Sequence, residues 1–175
     1  NIELVGNAWY LFSGSSLGGI QVRKSTDKGA TWSASVDIII PTKGKAWESW
    51  ASDGDAYYNA AENRWHYLFQ CLAPGGTWNG CHVVRDGIDP MGPFKEIHAN
   101  PVITYKSLWE KICDNSNDDC VKIPGGVNKV QDSGTFDIFN YDGTYYYVSF
   151  HGAYYAAGYS VRFGGIAKTK DFVNW

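Results

Sequence analysis

Two aspartates, Asp53 and Asp55, stand one alternation apart in the strand-like run WASDGDAYYN and so share a face of that strand. Carboxylates placed this way suit acid–base work or substrate contact, and equally the capping of nearby backbone N–H groups. His151 closes an aromatic run and precedes Gly152. It can face a central channel or serve packing. Trp47, Trp50 and Trp78 fall in loop-like stretches, where an indole offers a flat platform to a sugar ring or fills a core. Glu48, between Trp47 and Trp50, reads as a solvated loop charge or a substrate contact. Other chemistries lack their motifs. No Gly-x-Ser-x-Gly elbow is present, and Gly75-Gly76 and Gly125-Gly126 lack the strand-to-helix setting of a phosphate loop.

The four cysteines form two close pairs. Cys71 and Cys81 flank LAPGGTWNG, and Cys113 and Cys120 flank a short polar loop, with no CxxC spacing and no histidine in a zinc-ligand pattern beside them. Two loop-stapling disulfides are expected, and with them an oxidising, extracellular setting for a secreted protein. The net charge of −3 gives no reason to expect a nucleic acid or an anionic membrane as partner. No apolar run reaches the roughly 18 residues of a membrane span.

These side chains need a scaffold of strands. The 175 residues include 8 Trp, 12 Tyr and 20 Gly, a composition for an all-β domain with many turns. Ser25–Trp32, STDKGATW, has the Ser-x-Asp-x-Gly-x-Thr-Trp pattern called an Asp-box, between strand-like runs at 20–24 and 36–40. Asp27 can accept backbone N–H bonds across such a turn and Gly29 can supply a positive φ. The same grammar of strand, turn, aromatic strand, loop, strand and aromatic-ended turn recurs three times, closing on KSTDKGATW, RDGIDPMGPF and KTKDFVNW. Tyr141-Asp142-Gly143-Thr144 adds an Asp-Gly hairpin. Repetition of this kind predicts a β-propeller of four-stranded antiparallel blades, at about 1–45, 46–99 and 130–175. A loop inserted at 100–129 carries a short helix over Lys106–Ile112. All 175 residues belong to one propeller domain in this reading. Three blades are fewer than a closed propeller uses, so the remainder of the propeller is the expected partner.

Several segments together resemble the five-bladed propeller glycoside hydrolases, family 43 in particular. WYLF with GIQV is similar to their first blade. WASDGDAYYN with RWHYLF is similar to a Trp-Ala-Pro-Asp strand and its partner. GPFKEI and KTKDFVNW are similar to blade endings, and DSGTFDIFNYDGTYYYVSF to an Ile-Asp-Pro strand, Asp-Gly turn and Tyr-rich partner. The resemblance covers most of the chain outside the insertion. It implies hydrolysis of arabinose- or xylose-type glycosides with inversion, by a base, an acid and a third carboxylate that tunes the acid. It places the base just before Asn1 and the acid beyond Trp175. Asp132 then falls at the third carboxylate, with Ser133 in place of Pro, and Asp137 is the fallback. Asp53 falls at the Trp-Ala-Pro-Asp position, with Ser52 in place of Pro. Substrate contacts are expected from Asp53, Asp55, Trp47, Trp50 and His151. No cofactor is required, and a calcium ion in the channel stays open. Two other functions compete: a sialidase-like exo-glycosidase, suggested by the Asp-box but short of arginines, and a non-catalytic glycan-binding propeller.

Overall fold

In the computed structural model the chain is all-β, and its described residues form ten strands in three antiparallel sheets. It describes residues 1–74, 78–104, 130–141, 143–156 and 159–175, with 130–133, 135, 152–156 and 159–163 described by backbone alone. Cys113, Cys120, Asp142 and the helix expected at Lys106–Ile112 lie outside the described residues.

The first sheet holds β1 (Ile2–Val5), β2 (Ala8–Gly14), β3 (Ile20–Ser25) and β4 (Val36–Ile39) in that order. The second holds β5 (Trp50–Asn59), β6 (Arg64–Leu72) and β7 (Asn79–Asp86), and the third β8 (Val130–Asn140), β9 (Tyr146–Ala156) and β10 (Tyr159–Thr169). Each strand pairs with its sequence neighbour, the meander of a propeller blade. The expected fourth strand of the second blade shrinks to a single bridge, Val84 with Lys95. Pro90 and Pro93 precede it and remove the N–H donors a ladder needs. The same segment reaches the first sheet, where the Phe94 N–H donates to the Ile38 carbonyl, 3.1 Å.

The turn at Ser25 is held by short polar bonds. The Ser25 hydroxyl accepts from the Gly29 N–H at 2.8 Å. Asp27 accepts from the Thr31 N–H at 2.9 Å and from its hydroxyl at 2.6 Å. Lys28 and Gly29 both take left-handed φ, 61° and 87°. The turn after β10 is built alike and one residue shorter. Thr169 Oγ1 accepts from the Phe172 N–H and Asp171 Oδ1 from the Asn174 N–H, with Phe172 at φ 59° in the place of Lys28.

The strand β6 lies at the centre. All but its end residues are buried, because alternate side chains enter two different cores. Trp65, Tyr67 and Phe69 pack towards the first sheet, where Trp65 meets Tyr10, Phe12 and Tyr58 at ring separations of 5.2–5.6 Å. The indole N–H of Trp65 donates to the Ile88 carbonyl, 3.0 Å. On its other face Leu68 joins Phe136, Ile138, Val148 and Phe150 of the third sheet. Cys71 and Cys81 form a disulfide between β6 and β7, as expected from their flanking of one loop.

Candidate functional site

The strands β1, β5 and β8 lead their sheets, and β5 touches both β1 and β8. Side chains from these three strands therefore converge along one line of the molecule.

At the start of β5 Trp50 is 48% exposed. It lies over Gly18 of the β2–β3 turn, where a Cβ would come 3.0 Å from the ring and where the φ of +77° also favours glycine. The Ala51 N–H donates to the Gly18 carbonyl at 2.9 Å and fixes that approach. Trp50 thus presents an indole to solvent on a backed surface. Trp47 does not. It is 7% exposed and packs edge-on against Phe69 at 5.5 Å, so its expected role as a sugar platform is corrected to core packing. The Gly44 N–H donates to Glu48 at 2.7 Å, so Glu48 ties its own loop together. Trp78 is half-buried.

Strict alternation fails at Asp53. A bulge between Ser52 and Gly54 leaves Asp53 unpaired, exposed and at φ 36°. The extra residue separates Asp53 from Asp55, which no longer share an environment. Asp55 is 7% exposed and accepts the Ile138 N–H of β8 at 2.8 Å. Burial raises its carboxyl to about 6, helped by the charge of Asp137 and opposed by that backbone bond. Asp137 itself is exposed and accepts from the Ser149 hydroxyl at 3.0 Å.

Glu3 was not singled out from the sequence. On β1 the alternation is inverted: Ile2 and Leu4 are 50% and 58% exposed, while Glu3 and Val5 turn inwards. Burial raises the Glu3 carboxyl to about 7, with the charge of Asp55 adding to it and a bond from Asn1 opposing. A short strand that puts its apolar residues out and its acid in was the available signal.

Asp132 lies on β8 opposite Ala153, beside a shift in the register, and its side chain lies outside the described residues. His151 is half-buried on β9, opposite Gly134 of β8 and Gly164 of β10. The side chain of Gln70 lies against Gly134 in the place a Cβ would take, and this closes β6 onto β8. The site thus brings together Glu3, Asp55 and Asp137 as an electrostatically coupled set and leaves Asp53 and Trp50 open to solvent. Among the described residues no group of three or more His, Cys, Asp or Glu is placed to hold a metal ion.

Solved structures share this architecture. An endo-arabinase from Bacteroides thetaiotaomicron matches 92% of the chain with 48% of its own length, at 16% identity and a TM-score of 0.60. A thermostable family-43 glycoside hydrolase matches 99% with 55% of its own length, at 15% identity and 0.60. A family 117 glycoside hydrolase of the marine bacterium Zobellia galactanivorans matches 99% with 52% of its length, at 14% identity and 0.64. The fold is that of the family 43 and family 117 glycoside hydrolases. The chain spans about half the length of these propeller enzymes. No protein-family model and no curated protein matches it.

Proposed function

We propose that the chain is about three blades of a secreted glycoside hydrolase that acts on arabinose- or xylose-type polysaccharide or oligosaccharide. The observation that carries this reading is the match of nearly the whole chain to propellers whose printed names are those of glycoside hydrolases. The convergence of β1, β5 and β8, with an exposed indole at the start of β5, supports it.

In this reading the mechanism is inverting. A base activates water and an acid protonates the leaving oxygen across a gap that admits the water. Both belong to segments outside this chain. Asp132 is the carboxylate that tunes the acid, with Asp137 as its alternate. A negative charge near a carboxylic acid keeps that acid protonated at the pH of catalysis. Trp50 stacks on a sugar ring, and Asp53 and His151 accept or donate to sugar hydroxyls. The Cys71–Cys81 disulfide suits the extracellular setting. No cofactor is required for the chemistry.

The test uses the full polypeptide on linear arabinan, arabinoxylan and aryl-arabinosides, with sugar release followed by chromatography. Hydrolysis that falls at least a hundredfold in Asp132→Asn, with binding retained, is the expected outcome. Binding without turnover in the unsubstituted protein would replace the enzyme with a glycan-binding propeller.

A further inference from the structure

Three of the chain's four histidines stand in one row. His66 Nδ1 is 3.1 Å from His82 Nε2, and His82 Nδ1 is 3.0 Å from His98 Nε2. The ring planes are close to parallel, with centroids 5.3 Å apart at 13° and then 4.9 Å apart at 21°, so that neighbouring rings meet through their nitrogen edges. At the inner end Glu62 Oε2 is 3.4 Å from His66 Nε2. The Tyr146 hydroxyl donates to Glu62 Oε1 at 2.5 Å and stands 3.3 Å from the same imidazole nitrogen. His82 is fully buried, and Asn100 brackets its backbone by accepting from its N–H and donating to its carbonyl.

Proton counting gives this row a property that no single histidine has. Each of the two ring-to-ring contacts takes one hydrogen, because an N–H must face a lone pair. Three neutral imidazoles carry three hydrogens, so one remains for an outer nitrogen, either His66 Nε2 or His98 Nδ1. A carboxylate only accepts, so Glu62 draws that hydrogen to His66 and sets all three rings in the Nε2–H form. One added proton fills the free outer nitrogen and leaves both contacts intact. A second added proton has no outer position left. It puts two N–H groups head to head and breaks a contact.

The row also joins two sheets. Phe172, from the turn after β10, stacks on His82 at 4.0 Å and 4° and on His66 at 4.9 Å and 17°. Tyr146 of β9 closes the same stack, 4.6 Å from Phe172. We propose that the row is an acid-operated latch between the second and third sheets, which holds one excess proton and opens at the second.

Among the described residues the charged and titratable groups around it are few. Glu62 and Arg64 flank His66 from the β5–β6 turn and β6, Tyr146 faces it from β9, and Glu96 and Asp171 lie near His98. Burial pushes all three imidazoles below their usual range, His66 to about 4. The neutral row is therefore the resting state at neutral pH.

The test is imidazole nitrogen NMR on the full polypeptide labelled with 15N-histidine, between pH 7 and pH 3. At pH 7 all three rings should be Nε2–H. The first protonation should leave the Phe172–His82 nuclear Overhauser contacts in place, and the second should coincide with their loss. In Glu62→Gln the amide at 62 can donate as well as accept, so the tautomers of His66, His82 and His98 should shift together. Independent titration of the three rings at about pH 6.5, the value of a free imidazole, would overturn the proposal. So would mixed tautomers at pH 7, or a shift confined to His66 in the variant.

Discussion

Replacing Asp55 by asparagine should stabilise the chain at neutral pH and not at pH 4. The carboxyl is raised from 3.8 to about 6, chiefly because it is buried. An acid with a raised folded-state value holds its proton more tightly when folded. As pH rises from about 4 to 6 the unfolded chain releases that proton first, and stability falls across this window. Above it the full cost stands: about 2 units at 1.36 kcal/mol each, or about 3 kcal/mol. In Asp55→Asn the new amide oxygen would still accept the Ile138 N–H, so the bond from β8 survives. The N–H donors of that amide lie buried, and an unmet donor costs about 1 kcal/mol. The net gain at pH 7.5 is then about 1–2 kcal/mol, shrinking to nothing or a small loss at pH 4. Urea denaturation of Asp55→Asn and the unsubstituted chain, followed by far-ultraviolet circular dichroism at pH 4, 5.5 and 7.5, measures both. A variant that is less stable at pH 7.5, or whose difference does not move with pH, would refute the reasoning. It would mean that a cation, or a donor besides the Ile138 N–H, meets the ionised carboxylate.

Phe172→Ala removes a fully buried ring from the stack with His82 and Tyr146. It should lose about 3–5 kcal/mol in the same denaturation assay. Gly54→Ala puts a methyl 2.5 Å from the Leu68 carbonyl oxygen, a backbone atom that cannot turn aside. A loss of about 1–3 kcal/mol is expected, read as a lower melting temperature. Breaking the Cys71–Cys81 bond by Cys71→Ser with Cys81→Ser opens a loop with a sequence separation of 10. It should cost about 2–4 kcal/mol, read in the same urea denaturation. Trp50→Ala changes an exposed side chain, so stability should move by less than about 0.5 kcal/mol. Affinity gel electrophoresis of the full polypeptide in arabinan should nevertheless show weaker retardation.

Much of the fold was legible because strands and turns are local. The periodic aromatic run Trp65–Phe69 and the turn residues around Asp27 announce themselves within a few positions. The disulfide partners also lie close in sequence. The parts that were not legible depend on contacts between sheets. Asp53 and Asp55 were assigned one face by alternation, and a single bulge undid that. Trp47 sits in a loop by sequence, yet the loop folds back and buries its ring against Phe69. Glu3 acquires its raised carboxyl from burial against the neighbouring sheet, with the charge of Asp55 adding to it. The histidine row carries a trace in the sequence: its members are spaced by 16 residues twice over. Nothing local says that strand β7 and the segment after it would stack those rings, and nothing in KTKDFVNW says that Phe172 would cover them.

Burial of β6 on both faces has a consequence for how this chain can vary. A strand with one wet face can slide by one residue and lose mainly apolar burial. Here a one-residue slip would drive Trp65, Tyr67 and Phe69 into the space shaped for His66, Leu68 and Gln70, and the reverse on the other side. Rings would meet the Gly134 backbone, and imidazole and amide would enter an aromatic core without partners. Insertions and deletions inside Arg64–Leu72 should therefore be lethal to the fold, while changes of length belong in the connections at either end.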